Sequence, residues 1–183
     1  MNNTFQYVAA ENPDPIRIEK SVAGSQGLIV DPGFDAAEST AVALDADGYR
    51  YDVIKGYRLV AAVAQSDTTI KIAKGSGIAK GDFLGYGTLA VACTAVDQSN
   101  ADYDLVTVTM GIAIAAGEVL YQASAASADA AQIIQTPVYV LGTPVDGGNG
   151  DQEAALIAIG TLRKETCCIG KDVAAKLGTI KLV

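Results

Sequence analysis

The sequence predicts a mainly β protein: a compact β-rich barrel- or roll-like domain with one or two short helices and an extended N-terminal arm. Three observations carry this expectation. Nineteen glycines, together with many Val, Ile and Thr, favour strands and tight turns over long helices. Large side chains are scarce, with three Phe, two Met and no Trp, so the core must be built from small, flat layers. Finally, residues 70–87, IKIAKGSGIAKGDFLGYG, align without a gap on residues 106–123, VTVTMGIAIAAGEVLYQA, at a constant offset of 36. A chain of 183 residues is long enough for one domain with a real core. The expected division is an arm over 1–33 and a β-rich domain over 34–183 that contains the repeat.

The arm is punctuated by N-P-D-P and D-P-G with only short apolar runs between them. Alternation begins at Ile16–Ile18, and SQGLIVDPGF reads as a short strand over Leu28–Val30 closed by a turn at Asp31-Pro32-Gly33. Residues 36–52 are polar and alanine-rich, with Asp47-Gly48 as a turn before Tyr49–Val53. YRLVAAVAQ, residues 57–65, reads as a buried strand, followed by a turn at Ser66-Asp67 and the first repeat.

Each repeat opens on an apolar-x-apolar triplet, bends at a glycine, and turns at Gly81-Asp82 or Gly117-Glu118 into a second strand through Phe83-Leu84 or Val119-Leu120. Gly81 and Gly117 are expected at a positive φ that other residues adopt at a cost. Gly75/Gly111, Ile78/Ile114, Ala79/Ala115 and Leu84/Leu120 are also identical, whereas Lys74 and Lys80 become Met110 and Ala116. TLAVACTAV continues as strand, and Ser124–Gln132 is read as loop. Gln132–Leu141 and Ala154–Leu162 are strands flanking a surface loop, TPVDGGNGDQE. Gly170–Leu177 is the best helix, stopped by Gly178, and TIKLV is a terminal strand.

Glycine- and lysine-rich KGSGIAKGD, residues 74–82, invites a phosphate-loop reading. Its spacing is G-x-G-x-x-x-G, and Lys80 precedes Gly81 where a Walker lysine would follow the glycine. The duplication keeps the backbone and core pattern and discards the positive charge, so a phosphate site is not expected. The chain has no histidine, which removes Ser-His-Asp and Cys-His catalysis and His-based zinc sites. DADGYRYD, residues 45–52, begins like a calcium loop but lacks the later ligands. GGNGD, residues 147–151, resembles a fragment of the calcium-binding β-roll repeat G-G-x-G-x-D, with one residue missing and no second copy, and it reads as a loop. Cys93, Cys167 and Cys168 are too awkwardly placed for a disulfide framework and are read as reduced. No catalytic, cofactor-binding or metal-ligating residue is singled out, and the expected protein is not an enzyme.

Acids outnumber bases 21 to 13, for a net charge of −8, which argues against general nucleic-acid affinity. The most apolar run, Ile112–Leu120, is far shorter than the roughly 20 residues of a membrane span. The first residues lack the basic head and apolar run of a secretory signal, so synthesis and use from a cytoplasm are expected.

The step IAxG[DE]xL in the repeats, IAIGTLRKET, the short alanine-containing helix and the closing GTIKLV together resemble tailed-bacteriophage head decoration and head-fibre proteins. The matching positions are Gly160, Leu162 and Arg163, then Val173–Leu177, then Ile180–Val183, within roughly residues 60–183. Where that family often has prolines before the helix, this chain has Cys167-Cys168-Ile169. The resemblance implies a structural virion protein, made in a host bacterial cytoplasm. It would bind the outer surface of a major capsid protein lattice as a homotrimer and decorate or stabilise the head, or anchor a head fibre. It implies no cofactor and no membrane or direct nucleic-acid partner. The alternative from another class is a carbohydrate-binding surface module on the same β framework.

Overall fold

The computed structural model describes residues 24–183, and it is mainly β with a closed barrel. Fourteen strands and one helix follow in order: β1 (Gly24–Ile29), β2 (Ala41–Leu44), β3 (Arg50–Ile54), β4 (Gly56–Arg58), β5 (Thr69–Ala73), β6 (Phe83–Tyr86), β7 (Leu89–Ala92), β8 (Ala95–Asp97), β9 (Tyr103–Thr107), β10 (Val119–Ala123), β11 (Pro137–Leu141), β12 (Gln152–Ile157), β13 (Gly160–Leu162), α1 (Lys171–Leu177) and β14 (Ile180–Leu182).

The barrel runs β1-β12-β11-β2-β3 and closes because β1 pairs antiparallel with β12 and parallel with β3. Closure leaves Ile29, Val42, Leu141 and Leu156 fully buried inside, each side chain worth about 1.5–3 kcal/mol of transfer free energy. β1 therefore belongs to the barrel, although the expected arm extended to residue 33. Residues 1–23, with the alternation at Ile16–Ile18, lie outside the described residues. β2 was not anticipated: AVAL is short and alanine-rich, and only its pairing with β3 and β11 makes it a strand.

The repeats form a second unit, residues 56–123, with an internal pseudo-twofold axis. β5 pairs antiparallel with β9 so that Ile70 faces Val106, its own repeat equivalent. β6 pairs antiparallel with β10 so that Gly85 faces Tyr121, again its equivalent. The symmetry extends beyond the visible repeat. Arg58 of β4 faces Val119 as Ala92 of β7 faces Phe83, which relates β4 to β7 at an offset of 34.

The backbone bonds obey the same relation. Leu59 exchanges bonds with Gly117 and Glu118, and Cys93 exchanges the equivalent bonds with Gly81 and Asp82. The Val60 N–H bonds to the Lys71 carbonyl, and that of Thr94 bonds to Thr107. One sheet is β4-β10-β6-β7, and the other is β5-β9-β8 with Leu59 bridged to Ile72 at its edge. Ile70, Ile72, Leu84, Val106, Val108 and Leu120 are buried between them.

This geometry breaks two of the expected strands. YRLVAAVAQ is strand only over β4; beyond it Leu59 bridges to Ile72 of the second sheet and Val63 to Ile114 in the segment before β10. TLAVACTAV divides into β7 and β8, in different sheets, with Cys93 buried at the crossing. Two further expectations shorten. Pro137 starts β11 after Ile133 has bridged to Ala123, and residues 154–162 divide between β12 in the barrel and β13, which pairs parallel with β14. Ser124–Gln132 is loop, and the helix runs from Lys171 to Leu177 with Gly178 as its left-handed cap, φ 67°.

β13, α1 and β14 wedge the two units together. Leu162, Cys167, Ile169, Val173 and Ile180 are buried in one cluster with Ala41, Ile54 and Val140 of the barrel and Tyr121 and Ala123 of the duplicated unit. All three cysteines are free.

Gly81 and Gly117 adopt φ of 97° and 80°, and a Cβ at either would meet nothing within 4 Å. The penalty for Gly81→Ala or Gly117→Ala is therefore purely backbone, about 1–2 kcal/mol. The two substitutions should lower the urea midpoint by similar amounts with an unchanged slope. Gly77→Ala should cost more, because its Cβ would come within 2.5 Å of the Phe34 ring.

Candidate functional site

The seam between the barrel and the duplicated unit holds two clefts, and Phe34 lines both. The turn that follows β1 sets its position. The Asp31 carboxylate accepts backbone N–H groups from Gly33 at 2.8 Å, Gly148 at 2.8 Å and Gly150 at 3.1 Å. These donors, Gly148 foremost, hold the Asp31 carboxyl below its ordinary pKa. Asp35 accepts the Gly147 N–H at 3.0 Å, and a Cβ on Gly147 would come within 2.2 Å of the Phe34 backbone. GGNGD is thus a clasp over DPGFD, and it presents Phe34 to the first repeat.

One cleft, about 220 Å³, is lined by Val30, Phe34, Val53 and Ile134 with Asp52, Lys55, Gln122 and Gln135. Its polar groups engage one another. The Gln135 amide donates to Asp52 at 2.7 Å, and the Lys55 N–H donates to Gln122 Oε1 at 3.2 Å. Lys55 Nζ lies 3.0 Å from Asp82 Oδ2, an oxygen that also accepts the Tyr57 hydroxyl at 2.9 Å. Burial first, and then the Asp82 charge, push the Tyr57 hydroxyl far up, so it stays a donor. The second cleft, about 340 Å³, is lined by Phe34, Arg58, Lys74, Gly75, Ser76 and Cys168 among others. Arg58 donates to the carbonyls of Gly117 and Cys167, and the buried Ser76 Oγ has no hydrogen-bond partner.

Each motif singled out in the sequence now has a place. In KGSGIAKGD, Lys74 Nζ lies 2.6 Å from buried Asp104 and 2.7 Å from the Gln98 carbonyl, while Lys80 is exposed. Gly77 lets Phe34 approach, Gly81 makes the turn, and Asp82 ties β4 to that turn. The glycines of this stretch serve packing and chain reversal, and its one partly sheltered lysine is neutralised.

DADGYRYD and GGNGD come together around one cation, Arg50. Its guanidinium lies 3.0 Å from Asp45, 2.6 Å from Asp47 and 3.1 Å from Asp151. No group of three or more carboxylates and thiols among the described residues is placed to hold a metal. Burial pushes the Cys167 thiol up, the opposite of what a nucleophile needs.

Glu118, the repeat equivalent of Asp82, braces the other side of the duplicated unit. It lies 2.9 Å from Lys164 and 3.9 Å from Lys171 and accepts the Tyr86 hydroxyl at 3.2 Å. Each repeat therefore carries, just after its turn glycine, a carboxylate clamped by lysine and tyrosine: one joins the repeat to the entry strand, the other to the C-terminal wedge. Sequence reading missed Phe34, Lys55 and Gln122 because they come from three distant segments. The only available signal was the rarity of phenylalanine.

No protein-family model, no curated protein and no solved structure matches this chain. No helix among the described residues is long and apolar enough to cross a membrane.

The Lys164 bond, foremost, and the Lys171 charge depress the Glu118 pKa below its ordinary 4.5. The stability it contributes is complete above that value and is lost as pH falls through the depressed one. Glu118→Gln should cost about 2 kcal/mol at neutral pH. Urea unfolding at a series of pH values should show the gap to the parent constant near neutrality and closing only below the ordinary glutamate pKa.

Proposed function

We propose that this protein is a structural virion component: a homotrimer that binds the outer surface of a phage capsid lattice and decorates or stabilises the head, or anchors a head fibre. The observation that carries this reading is how the motifs use their polar groups. Those with chemical potential in the sequence brace one segment against another: Arg50 among three aspartates, Lys74 on Asp104, Lys55 and Tyr57 on Asp82, Lys164 and Lys171 on Glu118. Such internal bracing suits a part that must hold its shape on a shell. Affinity for a lattice can come from many shallow contacts multiplied by valency, with no deep pocket. A closed barrel also has no continuous free edge through which copies could pair indiscriminately.

The resemblance of the repeats and the C-terminal GTIKLV to head decoration and head-fibre proteins supports the same reading and supplies the trimer. In this division of labour the N-terminal arm contacts the capsid and the β-rich domain makes the oligomer. β1 is part of the barrel, so the arm must be cut before Gly24.

Light scattering on the whole chain should give about three times the 18.7 kDa subunit mass. Deletion of residues 1–23 should preserve that mass and abolish co-sedimentation with purified capsids. A trimer lost together with the arm would refute this division, and a full-length chain that never sediments with capsids would refute the virion reading.

A further inference from the structure

We infer that copies of this chain associate head to tail, the basic outer face of the β13–β14 ribbon of one copy docking on the acidic outer face of the barrel of the next. The inference rests on the reading that copies associate, and it deepens that reading by naming the two surfaces.

The charge of −8 is distributed unevenly along the chain. Residues 124–159 carry Asp129, Asp146, Asp151 and Glu153 and no base at all. Residues 160–183 carry Arg163, Lys164, Lys171, Lys176 and Lys181 against Glu165 and Asp172.

The fold turns this gradient into two faces. In the ribbon, Leu162 and Ile180 are buried, so alternation sends Thr161, Arg163, Lys181 and Val183 outward. Val183 is 64% exposed, and Ile159, just before the ribbon, is 43% exposed. Among the described residues none of Arg163, Lys176 and Lys181 takes part in an ion pair, unlike Lys164 and Lys171 on Glu118. This is an apolar surface rimmed by uncommitted cations.

The complementary face lies on the barrel. Ile29 and Leu156 point inward, so Gln26, Leu28 and Glu153 point outward, and Leu28 stands in register with both Glu153 and Arg50. Around Arg50 sit Asp45, Asp47 and Asp151, which with Glu153 set four carboxylates against one guanidinium. Leu28 is 40% exposed, and Tyr49, in the adjoining turn, is 76% exposed. This is an apolar surface rimmed by excess acid.

The two faces lie at opposite ends of β12. Asp151 immediately precedes its first residue, Ile159 stands two positions past its last, and the six residues of the strand alone span about 20 Å. A single protomer therefore cannot bring its own two faces together. Complementary patches on separate sides of one subunit make a heterologous contact, which forms a ring when the rotation closes. An ionic rim around apolar centres would steer encounter and fix register.

The experiment is light scattering on the full chain, at about 50 mM and about 1 M salt, which bracket full screening of exposed charge. Arg163→Glu with Lys181→Glu, and separately Gln26→Lys with Glu153→Lys, should each leave a monomer with an unaltered thermal melt. Combining all four substitutions restores the complementarity in swapped form and should restore the parental mass. If the parent is an oligomer and either two-site variant keeps its mass, this interface is wrong while the oligomeric reading stands. If both dissociate and the four-site variant does not reassemble, the pairing of these two faces is wrong. A parent that is monomeric at low salt overturns both the interface and the trimer.

Discussion

The rest of the structure depends on two strand pairs that face their own copies. Ile70 opposite Val106 and Gly85 opposite Tyr121 place both sheets of the duplicated unit on one pseudo-twofold axis. A residue at such a centre meets its own equivalent, so the pair must be compatible at close range. Two branched aliphatics satisfy this in one sheet. In the other, a Cβ on Gly85 would lie within 2.2 Å of the Tyr121 ring, so the tyrosine of the second copy requires glycine in the first. The tyrosine hydroxyl then reaches over to the Gly87 carbonyl at 2.8 Å and fastens the turn at the far end of β6.

Divergence between the copies has then fitted each to a different neighbour. Gly77 corresponds to Ala113, and only the first copy meets Phe34 closely enough to require glycine. Lys74 corresponds to Met110: the lysine balances buried Asp104 near the surface, whereas the methionine is buried in the core. Asp82 and Glu118 keep their charge because both copies need a carboxylate after the turn. The longer glutamate reaches outward to Lys164 and Lys171, while the shorter aspartate stays on its own turn, accepting the Ala79 N–H at 3.1 Å. The copies share the strand pairing and the turns at Gly75/Gly111 and Gly81/Gly117, but their backbones part at Gly77, with φ of 65° where Ala113 has no positive φ.

Much of this was legible in the sequence where local chemistry decides it. The gapless repeat gave the turn glycines, the apolar alternation and the strand pair around each turn, and Gly178 gave the end of the helix. What stayed hidden is decided by partners far along the chain. The equivalence of β4 and β7 left no trace, because Tyr57 matches Val91 and Leu59 matches Cys93. The barrel strand AVAL contains nothing that marks it out from the surrounding alanines. The acids of DADG and GGNGD were read separately, as a turn and a loop, and their common partner Arg50 could not be paired with Asp151 across a hundred residues without the barrel register. Phe34 suffers the same limit, since its neighbours come from the first repeat, the GGNGD clasp and β3.

The symmetry also bears on where charge can sit. Like charges at a twofold centre would face each other at cross-strand distance, which is destabilising. The centres are accordingly apolar, and the charges of these strands face neutral partners: Lys71 opposite Leu105, and Asp104 opposite Ile72. A duplicated unit built in this way cannot easily carry a concentrated patch of one sign near its axis, because the ancestral residue would have appeared twice. Strong local fields are left to the segments without a copy, the barrel loops around Arg50 and the ribbon around Arg163 and Lys181. The charges around Arg50 and those of Arg163 and Lys181 lie in segments without a copy, where that constraint does not act.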